Sequence, residues 1–171
     1  MRNSFFIPYF KDILLGKVEL KDSLTAALLK AGYAIKSDEV MDIWFNKESQ
    51  FDDNILKLIS ELKIQQEVKL YIASNQSKER ANFLWNEKRL KDHFIDYYIS
   101  SDLKEIKNNS SFFNKINTCI GSGKKILVDD AMNNIIACQE AGWLGIHYQS
   151  INSLVRNPHI KQYLVGSEVI L

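Results

Sequence analysis

The stretch KILVDDAMNNIIACQEA, residues Lys125–Ala141, decides the fold of this chain. Its apolar residues 126–128 are typical of a short strand that is buried on both faces. Two adjacent carboxylates, Asp129 and Asp130, end this strand, and the following residues have helical spacing up to Gly142. Open α/β sheets bind their ligands where a strand ends directly before a helix. The stretch therefore predicts an α/β fold with a site at this strand end.

The same alternation of strand and helix recurs through the last two thirds of the chain. Apolar runs typical of buried strands are VKLYIASN, DYYISSD, KILVDD and LGIHY, with helical patterns between them. Strand, helix, strand, helix in this order predicts a Rossmann-like parallel sheet with helices on both faces. We therefore predict an α/β core over residues 63–171, in which the part from Ser153 onward is a tail.

The first 62 residues carry helical patterns and no confident strand. Apolar residues recur at helical spacing in the stretches 4–15, 20–31, 37–44 and 52–62. A short segment made only of helices cannot easily bury a core of its own. We therefore expect residues 1–62 to form a small helical cap, which packs near the carboxyl ends of the strands.

Composition narrows the classes of function. With 46% hydrophobic and 25% charged residues, the 171-residue chain has the composition of an ordinary globular protein. Its net charge of +1, with lysines interleaved among acids, argues against nucleic-acid binding. No apolar run approaches the ~20 residues of a membrane-spanning helix, which argues against a membrane partner. Cys119 and Cys138 lack metal-type spacing, and no secretory leader is recognisable, so we expect a cytoplasmic location.

Polar residues follow the first two predicted strands. Ser74 and Asn75 come directly after LYIA, where a hydroxyl beside free backbone N–H groups can hold a phosphate or carboxylate oxygen. The alternative for Ser74 is a cap of the helix that starts near Lys78. In the next loop, a lysine can neutralise a bound anion, although most loop lysines are merely solvated. Charge alone does not choose between Lys107 and Lys104 there.

The third polar cluster combines Asp129 and Asp130 with Asn134. Two adjacent acids repel one another, and bringing both near a low-dielectric cleft is unfavourable unless a cation or hydrogen-bond donors compensate. A hard divalent ion with oxygen ligands, of which magnesium fits best, removes that penalty. In the alternative, Asp130 caps the following helix and Asp129 is exposed.

Read together, these motifs resemble a known family. YIASNQSKERANFLW, DYYISSDLKEIKNNSSFF and ILVDDAMNNIIACQEAGWLGIHY are similar, in order and spacing, to the later motifs of the haloacid dehalogenase-like (HAD-like) hydrolases. The likeness is greatest to the branch with a small helical cap, which includes sugar phosphatases and the phosphatase domain of soluble epoxide hydrolase. FFIPYFKDILLGKVELKDSLTAAL also resembles the cap region of that branch.

The resemblance implies a role for each polar residue. Ser74 would bind the transferring phosphoryl group, and Asn75 would support that loop. Lys107 rather than Lys104 matches the family lysine, because a few polar residues and then a Phe follow it; it would steady the phosphate and the nucleophile. Asp129 and Asp130 would hold magnesium, directly or through water. By the same resemblance, Asn134 would support the loop that carries these two acids.

Two departures from the family pattern stand out. The proline that usually follows the lysine is Asn108 here, which changes the expected loop geometry. More importantly, the family carries a nucleophilic aspartate in an Asp-x-Asp motif after an apolar strand, and this sequence contains no Asp-x-Asp; Asp52 and Asp53 are adjacent. Without that carboxylate, no covalent phospho-aspartyl intermediate can form.

The missing motif also removes a strand. In the family it lies centrally, between the strands read here as KLYIAS and ILVD, so its loss would leave backbone groups unpaired. Three solutions are open: direct pairing of the two neighbours, insertion of Leu164–Leu171 or Ser4–Phe10, or a strand from a second chain, which would make a homodimer.

The resemblance implies a magnesium-dependent phosphatase for a small phosphorylated metabolite, inactive or truncated in the form given. The alternative from another class is a noncatalytic binding or interaction module that keeps an anion or metal pocket. A haloacid dehalogenase shares the scaffold and needs the same missing aspartate.

Overall fold

The computed structural model describes residues 7–65 and 67–164, with backbone only at Ile7 and Pro8. Within these residues the first part of the chain is helical, as its apolar periodicity predicts. The helices run over α1 (Ile7–Leu14), α2 (Leu20–Lys30), α3 (Ser37–Lys47) and α4 (Asp53–Ile64). None of the described helices is long and apolar enough to cross a membrane.

The first three helices form a core of their own. Its members are buried on the facing sides of α1, α2 and α3, and they are Ile13, Leu20, Leu24, Ala27, Leu28, Met41 and Phe45. Helix α4 lies apart from this core, because Leu58 and Leu62 pack with Ile146 and Leu154 of the α/β part. The amphipathic face of α4 therefore completes the core of the sheet region.

Short parallel strands make up that region, and they confirm the predicted α/β fold. The strands are β1 (Tyr71–Ser74), β2 (Asp96–Ile99), β3 (Ile126–Asp129) and β4 (Leu144–His147). Strand β1 pairs with β2 and strand β3 pairs with β4, both in parallel. Within the described residues the sheet is therefore divided into two pairs, and direct pairing of β1 with β3 does not occur.

Helices follow each strand and cover the sheet region. They are α5 (Lys78–Asn86), α6 (Ser100–Leu103), α7 (Ser110–Asn117), α8 (Met132–Glu140), α9 (Ile151–Arg156) and α10 (Pro158–Lys161). The prediction of a tail from Ser153 is wrong up to Lys161, because this segment holds α9 and α10. Ser150 and Ser153 form a reciprocal capping box at the start of α9, and Asn157 caps α10 with Pro158 in its first turn.

Helix α8 packs closely on β4. Gly145 lies so near the helix that a Cβ there would be 2.6 Å from Cγ2 of Ile135. Around this contact lies an apolar cluster of the α/β part, which includes Phe112, Phe113, Leu127 and Cys138. Strands β3 and β4 are thereby held firmly against α7 and α8.

Helices α1, α2 and α3, together called the cap from here on, contact the segments that follow β1 and β2. Gly16, at φ +62°, lies against the backbone of Ser101, and a Cβ there would be 2.1 Å from the Ser101 carbonyl oxygen. On α5, Glu79 accepts a hydrogen bond from the backbone N–H of Lys21, and Arg80 donates to the carbonyl of Glu48 at 3.2 Å. The cap therefore sits at the carboxyl ends of β1 and β2.

Candidate functional site

The adjacent acids at the end of β3 have opposite environments. Asp129 is 7% exposed, and its Oδ1 accepts hydrogen bonds from the backbone N–H of Ala131 at 2.9 Å and from Nδ2 of Asn134 at 2.8 Å. Asp130 is exposed, and its backbone carbonyl accepts a hydrogen bond from Nε2 of His147 at 2.9 Å. The alternative in which Asp130 caps α8 and Asp129 is exposed is therefore wrong. Asp129 is therefore the buried acid of the pair, at the point where the chain leaves β3 and enters α8.

Lys107 joins the two strand pairs. Its Nζ lies 2.6 Å from Oδ2 of Asp129, on β3, and donates to the carbonyl oxygen of Ala73, on β1, at 2.9 Å. The backbone N–H of Lys107 donates to Oδ1 of Asn75 at 2.8 Å. Lys104 instead ends α6 in a left-handed conformation. Of the two loop lysines, the structure thus brings Lys107 to Asp129.

Ser74 is the last residue of β1, and its hydroxyl is not a helix cap. Ser77 caps α5, since its Oγ accepts the backbone N–H of Arg80 at 3.3 Å. The hydroxyl of Ser74 makes no hydrogen bond within residues 7–65 and 67–164. The cap alternative for Ser74 is wrong, and the half-buried hydroxyl is available at the strand end that Lys107 also reaches.

Ser100 contributes to the site, although the sequence patterns did not single it out. It is fully buried at the end of β2, and its Oγ accepts the backbone N–H of Gln76 at 3.1 Å. This bond ties the loop after β1 to the end of β2. A serine directly after the predicted strand DYYI, in the position that Ser74 has after YIA, was the available signal.

Hydrogen bonds keep Asp129 ionised despite its burial. Burial by itself favours the neutral acid, but hydrogen bonds from Lys107, Asn134 and the Ala131 backbone, together with the charge of Lys107, outweigh it. The pKa of Asp129 consequently lies below its ordinary value. The opposite effect occurs at Cys138, where burial and the nearby charge of Asp129 raise the pKa of the thiol to about 11. Cys138 is therefore a packing residue rather than a nucleophile.

The donor set suits a magnesium ion that keeps much of its water. No group of three or more His, Cys, Asp or Glu side chains that could hold a metal occurs among the described residues. Asp129 and Asp130 provide two carboxylates, and Mg²⁺ is commonly held by one or two carboxylates with waters and substrate phosphate. Both oxygens of Asp129 already accept hydrogen bonds or an ion pair, so a direct metal ligand there has to displace Lys107 or share Oδ2 with it.

Comparison with solved structures identifies the fold. A HAD family enzyme from Bacteroides thetaiotaomicron, solved as a magnesium complex, has a TM-score of 0.73 at 18% identity, covering 89% of this chain and 81% of that one. A HAD-like family hydrolase from Porphyromonas gingivalis has a TM-score of 0.71 at 16% identity, covering 91% and 83%. A magnesium-bound HAD hydrolase from Bacillus subtilis has a TM-score of 0.54 at 21% identity, covering 80% and 65%.

No protein-family model matches the chain. A search of curated protein sequences finds no match either. At such low identities the structural likeness establishes the architecture, which agrees with the order of motifs in the sequence. The chain has the fold of the HAD-like hydrolases.

Proposed function

We propose that this chain is the phosphate- and magnesium-binding core of a HAD-like phosphatase for a small phosphorylated metabolite. One observation carries the proposal: Lys107 lies between Ala73 and Asp129, so that it joins the two strand ends that carry Ser74 and Asp130. A lysine, a hydroxyl and two carboxylates at one edge match the charge of a phosphate and a divalent cation. The Bacteroides enzyme has also been solved with magnesium and inorganic phosphate, which supports this choice of ligands.

Each side chain has a chemical task in this proposal. Ser74 donates its hydroxyl to a phosphate oxygen, and Lys107 balances the phosphate charge from the other side. Asn75 holds the Lys107 backbone, and Asn134 holds the carboxylate of Asp129. Asp129 and Asp130 hold magnesium, which when bound supplies positive charge that stabilises the phosphoryl group.

We further propose that this chain binds phosphate without turning it over. The sequence has no Asp-x-Asp, and among the described residues Asp129 is the carboxylate that pairs with Lys107. Three donors already contact the carboxylate of Asp129, so it is a poor attacking group. A phosphatase of this type needs a second carboxylate that is free to attack phosphorus.

A phosphomonoesterase assay tests this proposal. With p-nitrophenyl phosphate and magnesium, we expect no turnover above background by the purified chain. Asp129→Ala is the informative variant, and Asp42→Ala, at an exposed cap position, is its matched control. Turnover that is lost in Asp129→Ala and kept in Asp42→Ala would show a competent active site and contradict the binding-only proposal.

A module that binds neither phosphate nor magnesium and serves only for packing is the second candidate. The ion pair between Lys107 and Asp129 favours it. The pair already satisfies the buried carboxylate without any ligand. Calorimetric titration with magnesium and inorganic phosphate separates the candidates. Heat of binding that is lost in Lys107→Ala supports a retained phosphate site. If neither ligand gives a heat of binding or a shift in the unfolding temperature, the packing-only module is supported.

We also propose a cytoplasmic setting. Both cysteines are free thiols, Cys119 exposed and Cys138 buried. An exposed free thiol suits a reducing compartment. Mass spectrometry of the protein from cells under non-reducing conditions tests this, and a disulfide or mixed disulfide at Cys119 as the main form would contradict it.

A further inference from the structure

The buried ion pair uses the carboxylate oxygen that a metal ion would need. In Asp129, Oδ1 accepts hydrogen bonds from Ala131 and Asn134, whereas Oδ2 lies 2.6 Å from Nζ of Lys107. The side chains of the pair are little exposed, 4% for Asp129 and 14% for Lys107. Oδ2 is therefore the oxygen that is left for a cation, and the ammonium of Lys107 already lies against it.

Lys107 is also held from the other side of the divided sheet. Its ammonium donates to the carbonyl oxygen of Ala73 on β1, across the division where β1 and β3 do not pair. Of the segments that the sequence offered for this division, residues 4–10 are helical from Ile7 onward, and the three residues before Ile7 lie outside the described part. Residues 165–171 lie outside it as well. Within the described residues, Lys107 is thus fixed at Oδ2 by contacts with both strand pairs.

An ammonium and a divalent cation repel each other when they share one carboxylate oxygen. The repulsion is strong at Asp129 because both partners of the ion pair are buried, and a low local dielectric constant strengthens interactions between charges. With Lys107 in this position, Asp129 is a poor ligand for magnesium.

The charges of the site balance when phosphate and a divalent cation bind together. Lys107, Asp129 and Asp130 carry one net negative charge among them. A divalent cation alone turns this into a net positive charge beside a buried ammonium. Phosphate alone, with about two negative charges, adds its charge to that of the two acids. Because the two ligands together leave the net charge unchanged, each favours the binding of the other.

The ammonium of Lys107 has a donor for phosphate. A lysine ammonium has three N–H donors, and the described residues provide partners for two of them, the Ala73 carbonyl and the Asp129 carboxylate. Ser74 follows Ala73 at the end of β1, and its hydroxyl makes no hydrogen bond within the described residues. Phosphate bound at this strand end compensates the charge of Lys107 and weakens its repulsion of a cation on Oδ2.

We propose that Lys107 controls magnesium binding: it blocks Oδ2 of Asp129 until phosphate neutralises its ammonium. The inference rests on the proposed phosphate and magnesium site, and it adds the dependence of one ligand on the other. Magnesium alone binds weakly, and phosphate makes the site competent for the metal. Because coupling between two ligands is reciprocal at equilibrium, magnesium tightens phosphate binding by the same factor.

Calorimetric titration of the unmodified chain with magnesium chloride tests this coupling without any variant. One titration contains inorganic phosphate, and its control contains potassium chloride at the same ionic strength. After correction for magnesium bound to free phosphate, we expect phosphate to lower the dissociation constant for magnesium on the order of ten-fold. An unchanged dissociation constant would overturn the proposal.

Two variants test whether the coupling comes from the charge of Lys107. Lys107→Met removes the ammonium and keeps most of the side-chain length, and Lys107→Arg is the matched control that keeps the positive charge. Without phosphate, we expect Lys107→Met to bind magnesium on the order of ten-fold more tightly than the unmodified chain. We expect Lys107→Arg to bind it as weakly as the unmodified chain. Thermal unfolding verifies that each variant is folded before it is titrated.

The outcomes separate this proposal from the proposed function. If phosphate strengthens magnesium binding equally in the unmodified chain and in Lys107→Met, control by Lys107 is rejected and the phosphate and magnesium site is kept. If neither the unmodified chain nor a folded variant binds magnesium or phosphate, both proposals are rejected. Tighter magnesium binding by Lys107→Met alone, without phosphate, supports control by Lys107.

Discussion

The two strand pairs have the same length and the same parallel arrangement, yet they carry different parts of the molecule. The β1–β2 pair carries the cap, through Ser101 on α6 and Arg80 on α5. The β3–β4 pair carries the acids, and Asp129 is held there by its own loop and by Asn134. Lys107 connects the two. The loop around Asp129 is held by hydrogen bonds between near neighbours in sequence, whereas the cap is held by contacts between distant segments.

The largest effect on stability is expected when the carboxylate of Asp129 is removed. Asp129→Ala leaves the ammonium of Lys107 and the amide of Asn134 without their partner, and we expect a loss of about 3 kcal/mol in the free energy of unfolding. Asp130→Ala, one residue along at an exposed position, is the matched control and should change it by less than about 0.5 kcal/mol. Urea denaturation measures both. Equal effects of the two substitutions would contradict the burial of Asp129.

The pH dependence of stability tests the same acid, Asp129. The pKa of Asp129 is lowered in the folded chain, so its stabilising contribution is complete above its ordinary pKa of about 4 and is lost as pH falls through the lower folded value. Asp129→Asn lacks this titration. The difference in stability between the unmodified chain and Asp129→Asn should therefore shrink as pH falls below about 4. A difference that stays constant down to pH 2 would argue against the lowered pKa.

A middle-sized effect is expected where the cap meets the β1–β2 pair. Gly16→Ala places a Cβ against the Ser101 backbone, which cannot move aside easily. Gly32→Ala has a similar positive φ, +73° against +62°, but open space around the Cβ. The shared backbone strain cancels, so we expect Gly16→Ala to cost about 2 kcal/mol more than Gly32→Ala in thermal or urea unfolding. Equal costs would mean that the cap does not dock at Ser101.

The smallest effect separates two serines on the β1 side. Ser77→Ala removes the cap of α5 and should lower the free energy of unfolding by about 1 kcal/mol. Ser74→Ala removes a hydroxyl without a partner in the described residues and should change stability by less than about 0.5 kcal/mol. Only Ser74→Ala is expected to weaken phosphate binding in calorimetry. Phosphate binding that is weakened by Ser77→Ala alone would reverse the two roles.

Much of the fold could be predicted because its signals are local. The apolar run 126–128 and the helical spacing after it lie within one stretch, and α8 begins and ends close to where this spacing places it. The helices after Ser150 were missed because α9 and α10 are short, with six and four residues. Their signals were capping residues and a proline rather than apolar periodicity.

The candidate site was harder to predict, because residues of one type look alike in sequence. Asp129 and Asp130 are adjacent acids, and only the turn into α8 decides which is buried. Lys104 and Lys107 share a loop, and only the path of that loop brings one of them to β3. Ser100 was missed because its partner, Gln76, is 24 residues away.

The sequence by itself determined the order of strands and helices and the polar residues at the strand ends, because both follow from the periodicity and chemistry of neighbouring residues. The tertiary structure decided that Lys107 joins Ala73 to Asp129, residues separated from it by 34 and 22 positions. It also decided that the sheet is divided between β1 and β3 in the described residues. Such contacts depend on how strands from distant parts of the chain pack together. A local sequence pattern carries no information on which distant segments meet.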